Sequence, residues 1–336
     1  MAALVSTLPL LVSRLRALRA GALRGPAGAA LGQLTSAVGK GAGFGGPAQL
    51  QLRLDSAPWG QPTPAARDLD AWQAALAELS AWRGPCPVSI VAGDDLDLVL
   101  GVARFARRLD FITQLQLSGE GIDAEVADAL IDLDLDELRV VLEPGASAQA
   151  AGAAALLSAS KQRRGSGCRI VIALLWAEGA PNQARRLAEA VVSAGLPPLQ
   201  FEPSVRASRV PSAAGWEELV AAGLAAPMDP AQRRAVERMF AADDGEPGAP
   251  ATPGGCPVGA LRVELRADGS AWICPFQAPI SKPGAPEPLR EAWATADPTR
   301  AAVRACGRRC CHSTLGAAPP PPWTGALLDA LGAARR

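Results

Sequence analysis

The feature that most constrains this chain is a strand-then-helix alternation that recurs six times between residues 49 and 202. Its first instance, Gln49-Leu50-Gln51-Leu52-Arg53-Leu54, alternates polar and apolar side chains with a period of two. A Pro-rich loop follows, and then a helix-like stretch over residues 68–82. The same strand pattern returns at 87–92, 112–117, 137–142, 169–176 and 199–202, with helical stretches at 96–109, 124–133, 149–161 and 182–194 between them. The helices at 149–161 and 182–194 each close on Gly or a Gly-containing turn. Strands separated by helices at this pitch pair in parallel, because a hairpin cannot join them. Six successive units predict a partial (β/α)6 TIM-like barrel, with a doubly wound sheet as the second choice.

In either architecture ligands meet the carboxyl ends of the strands. Carboxylates gather at that edge: Asp55, Asp94, Asp95, Glu120, Glu143, Glu178 and Glu202. Asp and Glu also fill helix-start positions for purely local reasons, so spacing alone does not tell a ligand anchor from a cap.

Charge separates the ends of the chain. The first acidic residue is Asp55, and before it stand Arg14, Arg16, Arg19, Arg24, Lys40 and Arg53, so a +6 leader balances a −6 remainder. With 33 basic and 33 acidic residues, nothing favours nucleic acid as a partner. Leu4, Leu8, Leu11, Leu15 and Leu18 recur at helical spacing, predicting an amphipathic helix over 7–23. No apolar run is long enough for a transmembrane segment. The arginines follow the apolar stretch instead of preceding it, which argues against a secretory signal. A cytoplasmic protein is expected, with organelle targeting or peripheral membrane contact through 7–23 as alternatives. Residues 1–47 form this leader and its Gly-rich link, 48–206 the barrel, and 207–253 a helical connector and linker. A Cys-rich unit then spans 254–315, and a Pro-rich tail with a short helix spans 316–336.

The chain has one His and no Tyr, so it lacks most of the side chains that do acid–base work near neutral pH. Its cysteines are concentrated instead. Five of seven, Cys256, Cys274, Cys306, Cys310 and Cys311, lie in the last third, with His312 adjacent. Residues 261–273 read as a β-hairpin turned at Asp268-Gly269, which returns the chain from Cys274 toward Cys256. With the pair at 306 and 310, these thiolates would close a four-ligand site for an iron–sulfur cluster or a zinc ion. Cys86 and Cys168 flank barrel strands and read as packed thiols.

Those residues carry a resemblance. Cys256, twelve residues, Gly269, four residues and Cys274, followed by Leu289-Arg-Glu-Ala-Trp293 and Cys306-Gly-Arg-Arg-Cys310-Cys311, resemble the SPASM or twitch extension of radical S-adenosylmethionine enzymes. The six preceding units match the partial barrel of that superfamily, so the resemblance covers residues 48–315. It implies a small Cys-rich α+β domain holding one 4Fe-4S cluster through Cys256, Cys274, Cys306 and either Cys310 or Cys311. Zinc at the same thiolates is the alternative. Active members carry a Cys-x3-Cys-x2-Cys loop directly after the first strand. Here that loop is Asp55-Ser-Ala-Pro-Trp-Gly-Gln-Pro-Thr-Pro64, with no Cys. The family's Gly-Gly-Glu-Pro motif corresponds to Ala92-Gly93-Asp94-Asp95, and Ser118-Gly119-Glu120-Gly121 stands at its third-strand cofactor loop. Asp94 and Glu120 are therefore the cofactor-side candidates, although S-adenosylmethionine cleavage is not expected.

The expected function is that of a radical-enzyme-like pseudoenzyme: a binding or partner subunit for a precursor peptide or an active radical enzyme. Two alternatives stand beside it. One is an iron–sulfur enzyme or electron-transfer protein using the C-terminal cluster, and the other is a zinc-stapled structural module.

Overall fold

The computed structural model describes residues 47, 49–55, 67–83, 87–142, 148–176, 181–193, 195–196, 198–203, 213–228, 262–274, 277–282 and 288–304. The six strand–helix units are β1 (Gln49–Arg53), α1 (Leu69–Arg83), β2 (Pro87–Val91), α2 (Leu96–Arg108), β3 (Ile112–Leu117), α3 (Ala124–Asp132), β4 (Glu137–Leu142), α4 (Ala148–Arg164), β5 (Arg169–Trp176), α5 (Pro181–Ser193), β6 (Gln200–Pro203) and α6 (Ala213–Ala221). After them come β7 (Arg262–Arg266), β8 (Ala271–Trp272), α7 (Leu289–Thr295) and α8 (Asp297–Arg304).

The strands form one eight-stranded sheet in the order β6-β5-β4-β3-β2-β1-β7-β8. From β1 to β6 every neighbouring pair is parallel and the order never reverses. A doubly wound sheet needs a reversal to place helices on both faces. Right-handed crossovers without one put all the helices on a single face, and the sheet curls beneath them as a partial barrel.

Residue alternation sets the two faces. Leu50 and Leu52 pair in register with Val88 and Ile90 of β2 and with Val263 and Leu265 of β7, and all six are buried against the helix layer. Trp72, Leu76 and Leu79 of α1, Val99 and Val102 of α2, and Leu130 of α3 complete that layer. Each such aliphatic side chain contributes about 1.5–3 kcal/mol relative to exposure.

Local chemistry fixes the helix starts. The side chains of Asp95 and Asp123 accept hydrogen bonds from Leu98 N (3.0 Å) and Val126 N (2.9 Å), and Asp68 accepts from Ala71 N (2.9 Å). Asp95 is thus a cap.

The C-terminal hairpin turns where the sequence predicts it. Gly269 N donates to Arg266 O at 2.9 Å and Gly269 has φ 83°, the three-residue loop that ends in a left-handed residue. Asp268 accepts from Ser270 N (2.8 Å) and holds the turn. The hairpin is not a separate sheet, because β7 runs parallel to β1 over five residue pairs and β8 pairs with β7 antiparallel. α7 packs on α1, where Glu78 accepts from Arg290 N at 3.1 Å. Arg67 N donates to Ala267 O at 2.8 Å, tying the start of α1 to the hairpin turn. The expected helix over 7–23 and the Pro-rich tail lie outside the described residues. Among the described residues no helix is long and apolar enough to cross a membrane.

Candidate functional site

The face of the sheet turned away from the helices is polar. In a closed eight-stranded barrel the corresponding positions are filled with branched apolar side chains. Here two in-register rows run across the strands, the deeper one largely polar and the outer one mixing polar side chains with Val91 and Val171. The deeper row is Trp272, Glu264, Gln51, Ser89, Gln114, Glu137 and Arg169, in register from β8 to β5. Two residues nearer the carboxyl edge lies a second row: Arg266, Arg53, Val91, Gln116, Arg139 and Val171.

Two carboxylates organise this surface. The Glu137 carboxylate accepts from Gln114 Nε2 at 2.6 Å and Arg139 Nε at 3.1 Å, and its second oxygen lies 3.3 Å from Arg169. On the β1–β7 seam, Glu264 accepts from Arg266 Nε at 2.8 Å and lies 3.6 Å from Arg262. The Arg266 guanidinium stacks 4.0 Å from the centre of the Trp272 ring, whose Nε1 donates to Ser270 Oγ at 2.6 Å. Arg53 donates to both oxygens of Asp55, at 3.0 Å from Nε to one of them. Burial works to lower the pKa of Arg53, but the hydrogen bond and charge of Asp55, with the charge of Glu264, outweigh it and raise it. The buried Oε1 of Gln51 has no hydrogen-bond partner among the described residues.

The loop after β2 is pressed against the end of β1. A Cβ on Gly93 would stand 2.6 Å from Leu54 O and 2.9 Å from Leu54 C, while Leu54 N donates to Val91 O at 3.0 Å. Only glycine fits this approach. It sets Asp94 at the carboxyl edge, exposed; Glu120 is exposed in the turn after β3, with its N–H directed to Ser118 Oγ at 3.4 Å. The two sequence-predicted cofactor-side residues thus follow adjacent strands. Cys274 is buried two residues beyond β8. Because β8 runs antiparallel to β7, it carries the chain back toward the amino ends of the barrel strands, away from Asp94 and Glu120. Cys256, Cys306, Cys310 and Cys311 lie outside the described residues, as do Glu143 and Glu178. Cys168 is fully buried before β5, with its Sγ 3.8 Å from Arg169 O.

The arginine–glutamate rows escaped the sequence reading, yet their signal is there. In Gln51-Leu52-Arg53, Gln114-Leu115-Gln116, Glu137-Leu138-Arg139 and Glu264-Leu265-Arg266 each second residue is polar, and that parity faces the lumen.

Neither a family model nor the sequence of a curated protein matches the chain. Among solved structures, SuiB of Streptococcus suis superposes over 82% of this chain and 72% of its own, with a TM-score of 0.55 and 12% identity. The chain shares its fold with SuiB. SuiB bound to S-adenosylmethionine gives a TM-score of 0.53 at 13% identity, and SuiB bound to the precursor peptide SuiA gives 0.52 at 12%, each covering 82% of this chain and 70% of SuiB. At such identity the likeness is one of fold, and it carries no residue roles with it.

Proposed function

We propose that this chain is a radical S-adenosylmethionine/SPASM-like protein without the S-adenosylmethionine-cleaving cluster, acting as a binding or partner subunit for a precursor peptide or an active paralogue. The observation that carries this reading is the loop after β1. On a fold shared with SuiB, residues 55–64 offer Ser, Thr, Gln and Asp donors and no thiolate. That donor set does not fit an iron–sulfur cluster, which is held by cysteine thiolates. No step through such a cluster follows for this loop.

The C-terminal donors do fit. Cys256, Cys274, Cys306 and either Cys310 or Cys311 supply soft thiolates of the kind that hold a 4Fe-4S cluster. A cluster there would serve structure or electron transfer, with the polar lumen left for a bound partner. SuiB, with the same fold, is seen with a precursor peptide, which supports a peptide as that partner.

The test is an anaerobic preparation assayed for iron, sulfide and zinc, then incubated with S-adenosylmethionine and a strong reductant. Iron and sulfide at about four each per chain, lost in Cys274→Ala, with no 5′-deoxyadenosine above background, is the expected result. Deoxyadenosine above a Cys256→Ala, Cys274→Ala control would refute the pseudoenzyme reading. Stoichiometric zinc without sulfide would replace the cluster with a structural metal.

A further inference from the structure

The charges that line the lumen are already paired with one another. Arg53 is held by Asp55, Arg262 and Arg266 by Glu264, and Arg139 and Arg169 by Glu137. The two rows therefore contain no guanidinium without a carboxylate and no carboxylate without a guanidinium. What stays open is neutral. Gln116 of β3 and Gln200 of β6 are half-buried on the lumen face, and neither carboxamide has a hydrogen-bond partner among the described residues. The carbonyl of Gln51, by contrast, is buried beyond the reach of a ligand. Gln116 lies in mid-sheet and Gln200 on the edge strand. Next to Gln116, the register partner on β2 is Val91, and Val141, Val171 and Ala173 continue an apolar surface on the lumen face of β4 and β5. Arg139, the partner of Gln116 on β4, is turned to Glu137 at 3.1 Å. Asp94 and Glu120, exposed in the loops at the carboxyl edge, add only negative charge to the entrance.

We infer that the lumen selects an uncharged segment of the bound peptide, and that Gln116 reads a primary carboxamide in it, the side chain of an Asn or Gln. A carboxamide carries two N–H donors and one carbonyl acceptor. In a primary amide one N–H lies on the same side of the C–N bond as the oxygen, so two such groups face to face close a ring of two hydrogen bonds. A main-chain amide is trans and turns its N–H and C=O to opposite sides, so it satisfies only half of Gln116. A carboxylate accepts from the Gln116 N–H but sets its second oxygen against the Gln116 carbonyl, and an ammonium leaves the N–H without an acceptor. Val91 offers the methylene groups of the same ligand side chain an apolar wall. The inference deepens the partner reading above and rests on it.

Blocked eleven-residue peptides test the assignment by calorimetric titration of the full chain. They are identical Gly/Ala/Ser sequences that differ only in a central Gln, Ala, Glu or Lys. The Gln peptide should bind about tenfold tighter than each of the others, the yield of two neutral hydrogen bonds, and added salt should leave its affinity nearly unchanged. Gln116→Leu should erase the Gln-over-Ala preference, and Gln200→Leu should keep it. Equal binding of the Gln and Ala peptides to the unmodified protein would overturn the proposal, and that comparison needs no variant to fold. A Glu or Lys peptide binding tighter than the Gln peptide would overturn it too, because the lumen would then hold a charge free to pair. Blocked glutamine competing as well as the Gln peptide would also overturn it, by making the ligand a small amide. Equal, measurable binding of all the peptides rejects the carboxamide site and leaves the peptide partner standing, whereas no binding of any peptide rejects both. Gln-selective binding with deoxyadenosine formation by the same preparation would keep the site and reject the pseudoenzyme.

Discussion

Gly93→Ala isolates the contact that sets the carboxyl edge. The added Cβ would lie 2.6 Å from Leu54 O, 2.9 Å from Leu54 C and 3.2 Å from Asp55 N, all main-chain atoms that cannot rotate away. The loop after β2 and the end of β1 must separate by about 0.4 Å or more to relieve it, and overpacking of this kind costs about 1–3 kcal/mol. A loss of that size lowers the melting temperature by roughly 3–10 °C in a domain of this order. The displaced atoms include Leu54, whose N–H donates to Val91 O, so exchange of that amide should accelerate more than exchange elsewhere in the sheet. Gly152→Ala is the matched control. Gly152 lies on α4 with open space around its Cβ position, and the same substitution there should stabilise by about 0.5–1 kcal/mol. Urea unfolding of both variants measures the contrast. Gly93→Ala unfolding at the wild-type midpoint, or Gly152→Ala losing as much stability as Gly93→Ala, would refute the steric argument.

Glu137→Gln removes the charge that Arg139 and Arg169 share across β4 and β5, and is expected to cost about 1–3 kcal/mol, read from urea midpoints. Trp72→Phe in α1 deletes a buried indole N–H that has no acceptor among the described residues. It should cost less than the about 3–5 kcal/mol of Trp72→Ala by the same measurement. Asp128 links α3 to α4: a hydrogen bond from Ser160, then Arg164 and Arg163, holds its carboxyl down to about 2. A carboxyl lowered on folding adds stability that is full above its unfolded pKa, about 3.9, and is lost as pH falls through about 2. Thermal midpoints followed from pH 4 to 2 should therefore fall more steeply for the wild type than for Asp128→Asn.

The elements were legible because each carries its own local signal. Polar–apolar alternation marks β1, β3 and β7, Asp95 and Asp123 mark helix starts, and Asp268-Gly269 marks the hairpin turn. The parallel pairing of β7 with β1 was not legible. The hairpin's local chemistry specifies only β8 as the partner of β7, and a partner some two hundred residues earlier leaves no periodic trace in either strand. For the same reason Asp95 was readable as a carboxylate at the ligand edge, and only its bond to Leu98 N separates capping from binding.

The parity of the strands decides what the barrel can hold. A shift of one residue in β1 or β7 would turn its Leu and Val side chains to the lumen and its Arg, Glu and Gln into the helix layer, so burial of Leu50, Leu52, Val263 and Leu265 locks the register. Once locked, that register aligns Gln51 with Glu264 and Arg53 with Arg266, whatever the lumen is used for. Five Cα pairs and an apolar face on each strand hold these side chains in fixed relative positions before any ligand arrives. The seam is thereby preorganised, because Glu264 has already ordered Arg266. A flexible loop with the same residues would have to order them at the moment of binding. The apolar half of each strand, invisible to any ligand, therefore sets the geometry of the polar half.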